Sequence, residues 1–188
     1  MRKPLTEIEH EGKVYHLVPW FDQVLDFLEI AEGLTNAEYI LLFLDFFVRE
    51  RVSFDAGLFL KVRDAVFGET EKSGENYVDF KQDEGRIYAA FMQAYHIDLY
   101  EQFGKMHWQT FLTLLGNMPS DTAFSEVVNI RARKLPRLTK HNQEEYMNLV
   151  KLKAKYAIKQ NEDQKKQRLN QQWASVFHAL LSRAEGSE

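Results

Sequence analysis

The sequence contains no cysteine, only four prolines among 188 residues, and no long apolar run. The absence of cysteine excludes disulfide bonds, thiolate nucleophiles and cysteine-containing zinc sites, and it fits a reducing compartment. The densest apolar stretch, residues 39–48, falls well short of the roughly 20 residues that a membrane-spanning helix needs. The first residues contain no apolar signal core. We therefore expect neither export by a signal peptide nor insertion into a membrane.

Familiar catalytic and ligand-binding motifs are also missing. The six histidines occur neither as His-Glu-x-x-His nor at a familiar metal-ligand spacing from carboxylates. Residues 68–74 include glycines but lack the Gly-Lys-Ser/Thr ending that cradles phosphates. The adjacent acids Asp83 and Glu84 are interpreted as part of a solvated helix face. The sequence therefore predicts a protein that is not an enzyme and has no catalytic, cofactor or metal site.

The spacing of apolar residues predicts a mostly α-helical bundle with a short N-terminal β-hairpin. Residues 5–18 alternate between apolar and polar around Gly12, which can adopt the positive φ of a tight turn. Because two strands alone are marginally stable, the hairpin must lie on the helices or pair with another chain. From Trp20 onward the apolar spacing becomes helical. Thr35 and Glu38 form a capping box before a helix that is apolar enough to be buried on most sides.

Capping residues and helical stripes of apolar residues continue along the rest of the chain. Asp55 is predicted to cap one helix, and residues 107–136 are predicted to form two amphipathic helices that break at residues 116–119. Ser120 is the predicted N-cap of the second of these helices. The residues expected to face inward on the helix over 79–95 are Ile87, Tyr88, Phe91, Met92 and Tyr95. The stripe after the Gly104 turn consists of Trp108, Phe111, Leu112 and Leu115.

Charge is distributed unevenly along the chain and suggests two parts. Residues 1–130 hold 11 Lys and Arg against 22 Asp and Glu, whereas residues 131–188 hold 13 against 6. We predict an acidic body over 1–138 and a long basic helical arm over 139–188. Within the body, the hairpin occupies 5–18 and two helical lobes occupy about 19–67 and 79–138. Such an arm either contacts an acidic partner, contacts another copy of the chain, or is simply solvated.

The arm ends in an apolar stripe that follows a polar gap. Residues 159–168 have no apolar face, after which apolar residues return at helical spacing. About three turns of polar helix separate this stripe from the body, which favours contact with another chain over packing on the same core. A bend at 159–168 is the alternative, and it would let the stripe pack on the body. The stripe consists of Leu169, Trp173, Val176, Phe177, Leu180 and Leu181.

Several residues are candidates for binding a partner. Trp108, Phe111 and Phe124 lie on the two central stripes, where packing in the core is the favoured interpretation. Arg131 and Arg133 begin the basic part, where they can instead stabilise a helix C-terminus. A basic cluster of this kind could also neutralise phosphates. The acidic body and the lack of a helix-turn-helix or other DNA-binding motif argue against nucleic acid as a partner. The full set of candidates is Trp173, Phe177, Leu181, Trp108, Phe111, Phe124, Arg131 and Arg133.

Five motifs occur in an order that resembles a family of small phage and prophage proteins. They are the Asp98-Leu-Tyr segment, the His107-Trp helix, the Met118-Pro-Ser-Asp-Thr turn, the Ile130-Arg-Ala-Arg segment and the Lys-rich helix at 151–156. The resemblance is good over about 86–158 and looser over 14–66, and it does not extend over 160–188. The family occurs in tailed phages of Gram-positive bacteria with long non-contractile tails.

This resemblance implies a role in tail assembly. Genes of the family tend to precede the gene of the tape-measure protein, a position similar to that of tail-assembly chaperones, which coat the tape measure and recruit tail-tube subunits. The implied partners are therefore the tape-measure protein or the tail-tube protein, with homo-oligomers possible, and the implied location is the cytoplasm of the bacterial host. The alternative is a structural tail or connector subunit that stays in the virion.

Overall fold

The fold was analysed in a computed structural model, which describes residues 5–31, 33–68 and 77–159. The predicted hairpin is present: β1 (Glu7–His10) pairs antiparallel with β2 (Lys13–His16), with Ile8 opposite Tyr15. The turn residues Glu11 and Gly12 have φ values of 50° and 75°. Two successive positive φ values match the twist of a two-residue hairpin turn and explain the glycine. The predicted mostly α-helical fold with an N-terminal hairpin is confirmed.

The described residues contain seven α-helices and one short 3₁₀ turn. Their bounds are α1 (Phe21–Ile30), α2 (Asn36–Phe47), α3 (Ala56–Phe67), α4 (Phe80–Tyr95), the 3₁₀ turn (Tyr100–Gln102), α5 (Trp108–Gly116), α6 (Ala123–Ala132) and α7 (Gln143–Tyr156). None of these helices combines the length and the apolar character needed to cross a bilayer.

Local capping follows the sequence closely at most helix starts. The Thr35 hydroxyl accepts a hydrogen bond from the Glu38 amide, and the Glu38 carboxylate accepts one from the Thr35 amide, which confirms the capping box. Asp55 accepts from the Leu58 amide at the start of α3, as predicted. The prediction of Ser120 as the N-cap of α6 is wrong. Thr122 takes that place, because its hydroxyl both accepts from the Ser125 amide and donates to the Pro119 carbonyl.

The core is a single cluster that extends through both predicted helical lobes. Phe43 and Phe47 each pack edge-on to Phe27, their own rings lie tilted at 4.7 Å between centroids, and none of the three has exposed surface. In the other half, Phe111 stacks between Phe21 at 4.9 Å and Phe91 at 5.3 Å between ring centroids. Phe21 belongs to α1 and Phe91 to α4, so these stacked rings join the N-terminal helices to those that follow residue 77.

Two expectations about burial are corrected. Helix α2 is not buried on most sides: it packs against α1 and α3, buries Phe43, Leu44 and Phe47, and leaves Leu41 45% exposed. A helix at the outside of a bundle needs only one covered face, whatever its composition. Met92, which was expected to face inward, is also exposed.

Helix α7 belongs to the body. It packs against α6, and the Lys153 ammonium donates to the Arg131 carbonyl at 2.5 Å and to the Ile130 carbonyl at 3.2 Å. The described residues up to Ala157 accordingly belong to one compact unit. The apolar stripe expected at 169–181 lies outside the described residues.

Candidate partner-binding groove

An apolar groove lies where α1, α4 and the 3₁₀ turn meet, and its empty space is about 440 Å³ when the open solvent at its mouth is included. Its deepest residue is Phe111, which is 1% exposed, whereas Tyr100 and Phe103 at its edge are 60% and 49% exposed. A groove of this kind can accept the apolar side chains of another polypeptide. The lining residues are Phe21, Leu25, Phe80, Glu84, Ile87, Tyr88, Leu99, Tyr100, Phe103 and Phe111.

Hydrogen bonds to the Asp98 and Asp22 carboxylates hold the exposed aromatic edge in place. The Asp98 carboxylate accepts from the Tyr100 amide at 2.9 Å and so shapes the start of the 3₁₀ turn. Gly104 has a φ of 65°, a conformation that suits glycine, and its amide donates to the Asp22 carboxylate at 3.1 Å. Because Asp22 lies on α1, this bond fixes Phe103 beside the groove.

The aromatic rings at the edge also support each other. The Tyr100 ring lies 4.9 Å from that of Tyr88 and 5.6 Å from that of Phe103, measured between centroids. Phe103 in turn packs edge-on to Phe21 at 5.7 Å. Such contacts stabilise rings that would otherwise be free to rotate in solvent. The groove therefore presents a preformed apolar edge.

Acidic side chains surround this apolar surface. Helix α1 carries Asp22, Asp26 and Glu29 and has neither lysine nor arginine. Glu84 lines the groove itself, and Asp98 is hydrogen-bonded beside it. Among nearby basic residues, Lys81 pairs with Glu29, and the Lys105 ammonium donates to the Glu101 carbonyl. The border of the groove is therefore predominantly negative.

Tyr88 links the apolar and acidic parts of the groove. Desolvation, followed by the neighbouring Asp98 carboxylate, raises the pKa of the Tyr88 hydroxyl above its ordinary value. The hydroxyl is thus protonated at neutral pH and can donate a hydrogen bond to Asp98. The Asp98 carboxylate therefore lies next to the exposed rings as a hydrogen-bond acceptor.

The sequence-predicted candidates have different positions in the structure. Trp108, Phe111 and Phe124 are at most 4% exposed, and only Phe111 contacts the groove, from below. Arg131 is 8% exposed and faces the interior. Arg133 lies on the surface, where it pairs with Glu145 at 3.1 Å. Trp173, Phe177 and Leu181 lie outside the described residues.

Arg131 forms part of a buried polar network with Asp83. Asp83 is 1% exposed, so its interpretation as a solvated acid was wrong, whereas its neighbour Glu84 is exposed. Arg86 also donates to the Asp83 carboxylate, and Arg131 donates further to the Tyr156 and Tyr77 carbonyls. The network ties the start of α4 to the ends of α6 and α7. Position 83 falls three residues after Phe80 and four before Ile87, on the buried stripe, and this spacing was a signal of its burial.

Sequence reasoning did not identify the groove. Its edge residues Tyr100 and Phe103 lie in and directly after a single 3₁₀ turn, which is too short for helical periodicity to mark them. Two aromatic residues within a loop between Asp98 and Gly104 were the available signal, because exposed aromatic residues in loops are frequent contact residues.

The geometry describes a helical protein with an open apolar groove that has an acidic border. The model of the family described as Bacteriophage Gp15 protein matches residues 1–158 of this chain. The chain therefore belongs to the bacteriophage Gp15 family, and it is a bacteriophage protein. No curated protein and no solved structure matches it.

Proposed function

We propose that the protein is a non-enzymatic chaperone of phage tail assembly, which binds an amphipathic helix of the tape-measure protein. The observation that carries this proposal is the open apolar groove with the half-exposed Tyr100 and Phe103 at its edge. Membership of a bacteriophage family supports the biological setting. Tape-measure proteins are long helical chains, and their apolar stripes need cover before the tail forms.

The dimensions and chemistry of the groove suit one face of a helix. Apolar side chains at positions i, i+3, i+4 and i+7 of a partner helix project from one side and enter a groove of this type. Phe103 and Tyr100 would contact them at the edge, and Phe21 and Phe111 would contact them at the base. Aromatic residues in such positions commonly contribute most of the binding energy.

The acidic border of the groove indicates which charges the partner helix should carry. Asp22, Asp26 and Glu84 would face residues on either side of the apolar stripe of the bound helix, so lysine or arginine there would be attracted and acidic residues repelled. We therefore propose a tape-measure segment whose apolar stripe is flanked by basic residues.

Co-expression tests this function. The full chain and the tape-measure protein encoded by the same phage are expressed together and separately, and solubility and gel filtration are measured. We expect the tape measure to be soluble only with its partner and to elute with it. A tape measure that stays insoluble, with no complex on gel filtration, would rule the proposal out.

Purified virions separate a chaperone from a structural tail or connector subunit. A chaperone acts before the tail is complete, so mass spectrometry of the particles should not detect the chain. Its presence at a stoichiometric level would overturn the chaperone proposal and favour the structural subunit.

A further inference from the structure

Three potential metal ligands meet where the N-terminal hairpin contacts α3. His10 ends β1, Glu11 is the first residue of the hairpin turn, and Asp55 precedes α3. One ligand atom from each lies within 4.8 Å of the other two. No sequence spacing suggested this set, because Asp55 is 45 residues from His10. We propose that His10, Glu11 and Asp55 bind a divalent transition metal of the zinc class.

The distances suit a tetrahedral ion. The His10 Nε2 atom lies 3.1 Å from Asp55 Oδ2. Two ligand atoms about 2.0–2.1 Å from a tetrahedral zinc ion are roughly 3.3 Å apart, so this pair already spans one edge of the coordination shell. Glu11 is exposed on the turn, so its carboxylate can complete a third position by side-chain rotation. Water would occupy the fourth.

Neighbouring groups hold two of the three ligands in place. The second Asp55 oxygen accepts from the Leu58 amide at 2.8 Å, which leaves Oδ2 directed at His10. A Cβ atom at Gly57 would lie 3.1 Å from His10 Cε1, so the glycine provides the room that the imidazole ring occupies. The His10 side chain is only 11% exposed. Orientation of ligands by surrounding groups in this way is typical of metal sites.

The ligand types determine which ion is expected. An imidazole nitrogen with two carboxylates favours zinc or a similar transition metal over magnesium and calcium, which prefer oxygen ligands alone. The bound ion would join the two-stranded hairpin to α3. That connection matters because two isolated strands have little stability of their own. Lys61 contributes a second connection by donating to the Glu9 carbonyl at 3.0 Å.

His16 provides a matched control. Its two ring nitrogens face different carboxylates, with Nδ1 2.5 Å from Glu50 and Nε2 3.6 Å from Glu7. The two nitrogens of one imidazole point away from each other, so this arrangement cannot chelate a single ion. A His16→Asn variant therefore removes a histidine of the same hairpin without removing a proposed ligand.

Calorimetric titration with zinc chloride tests the site, with the full chain free of any polyhistidine tag. We expect one zinc ion per chain, binding at least tenfold weaker in both His10→Asn and Glu11→Gln, and unchanged in His16→Asn. Excess magnesium should not compete. Glu11→Gln changes an exposed residue, so it keeps the test valid even where His10→Asn weakens the hairpin.

Thermal unfolding gives a second readout. At one fixed zinc concentration, zinc should raise the melting temperature of the natural protein and of His16→Asn more than that of Glu11→Gln, because an ion that binds only the folded state stabilises it by an amount that rises with its affinity. Dissociation constants weaker than about 100 μM in the natural protein, or equal affinity in Glu11→Gln, would overturn the proposal.

Discussion

Arg131 of α6 and Asp83 of α4 form a buried ion pair through two hydrogen bonds, with Nη1 2.5 Å from Oδ2 and Nη2 2.9 Å from Oδ1. Forty-eight residues separate them in the chain. The planar guanidinium matches the carboxylate with two parallel bonds, an arrangement that lysine cannot reproduce. The pair connects α4, α6 and the end of α7, and it gives Arg131 a structural role.

Replacing Arg131 by methionine should destabilise the fold strongly. Asp83 would lose its main partner and keep contacts such as those with Arg86 and the Asp79 amide, and leaving a buried charge without its main partner costs about 3–5 kcal/mol. Urea unfolding followed by circular dichroism measures the change. Arg133→Met is the matched control, since its pair with Glu145 is exposed and should contribute at most ~1 kcal/mol. Equal losses in the two variants would contradict the structural role of Arg131.

Thr122→Ala should lower stability, whereas Ser120→Ala should not. Thr122 is 1% exposed, and its hydroxyl satisfies the Ser125 amide and donates to the Pro119 carbonyl. Loss of an N-cap of this kind costs about 1–2 kcal/mol. Ser120 is exposed and precedes the helix, so its removal should change the free energy of unfolding by less than ~0.5 kcal/mol. Thermal melts of both variants decide between the two caps.

Stability should fall in acid partly because of His107. The imidazole caps α5 by accepting from the Gln109 amide at Nδ1, and desolvation lowers the pKa of His107. A lowered pKa means that the unfolded chain binds the proton more tightly. The stabilising contribution is therefore complete above the ordinary histidine pKa of about 6.5 and is lost as the pH falls below it.

His107→Asn tests this pH dependence, because asparagine can still cap the helix but does not titrate. Urea midpoints measured between pH 7.5 and pH 5 should fall less in this variant than in the natural protein. His141→Asn serves as the control, since it replaces an exposed histidine that lies outside α5. Parallel curves for the natural protein and His107→Asn would show that the cap does not titrate in this range.

Phe103→Ser should weaken partner binding without unfolding the protein. Phe103 is 49% exposed at the groove edge, so its truncation removes contact area for a partner helix while the core stays packed. We expect at least tenfold less tape-measure protein in the co-purified complex and a stability loss below ~1.5 kcal/mol. Phe54→Ser, at a residue 52% exposed and outside the groove lining, should have no effect on binding. Equal binding by Phe103→Ser would place the interface elsewhere.

The sequence by itself determined the features that depend on neighbours within a few residues. Gly12 indicates the hairpin turn because it adopts a positive φ. Thr35, Glu38 and Asp55 indicate helix starts because their side chains form hydrogen bonds to backbone amides three residues away. The break at residues 116–119 between α5 and α6 follows in the same way. Helical periodicity predicted most of the buried faces, but it could not show that α2 lies on the outside.

Only the tertiary structure decided the features that depend on residues far apart in the chain. It brings Arg131 to Asp83 and His10 to Asp55, and it packs α7 against α6 within the body. The groove is assembled from α1, α4 and the 3₁₀ turn, and none of these segments forms it alone. Local propensity does not encode such contacts, because whether a charge is buried and paired or solvated depends on which helix packs against it.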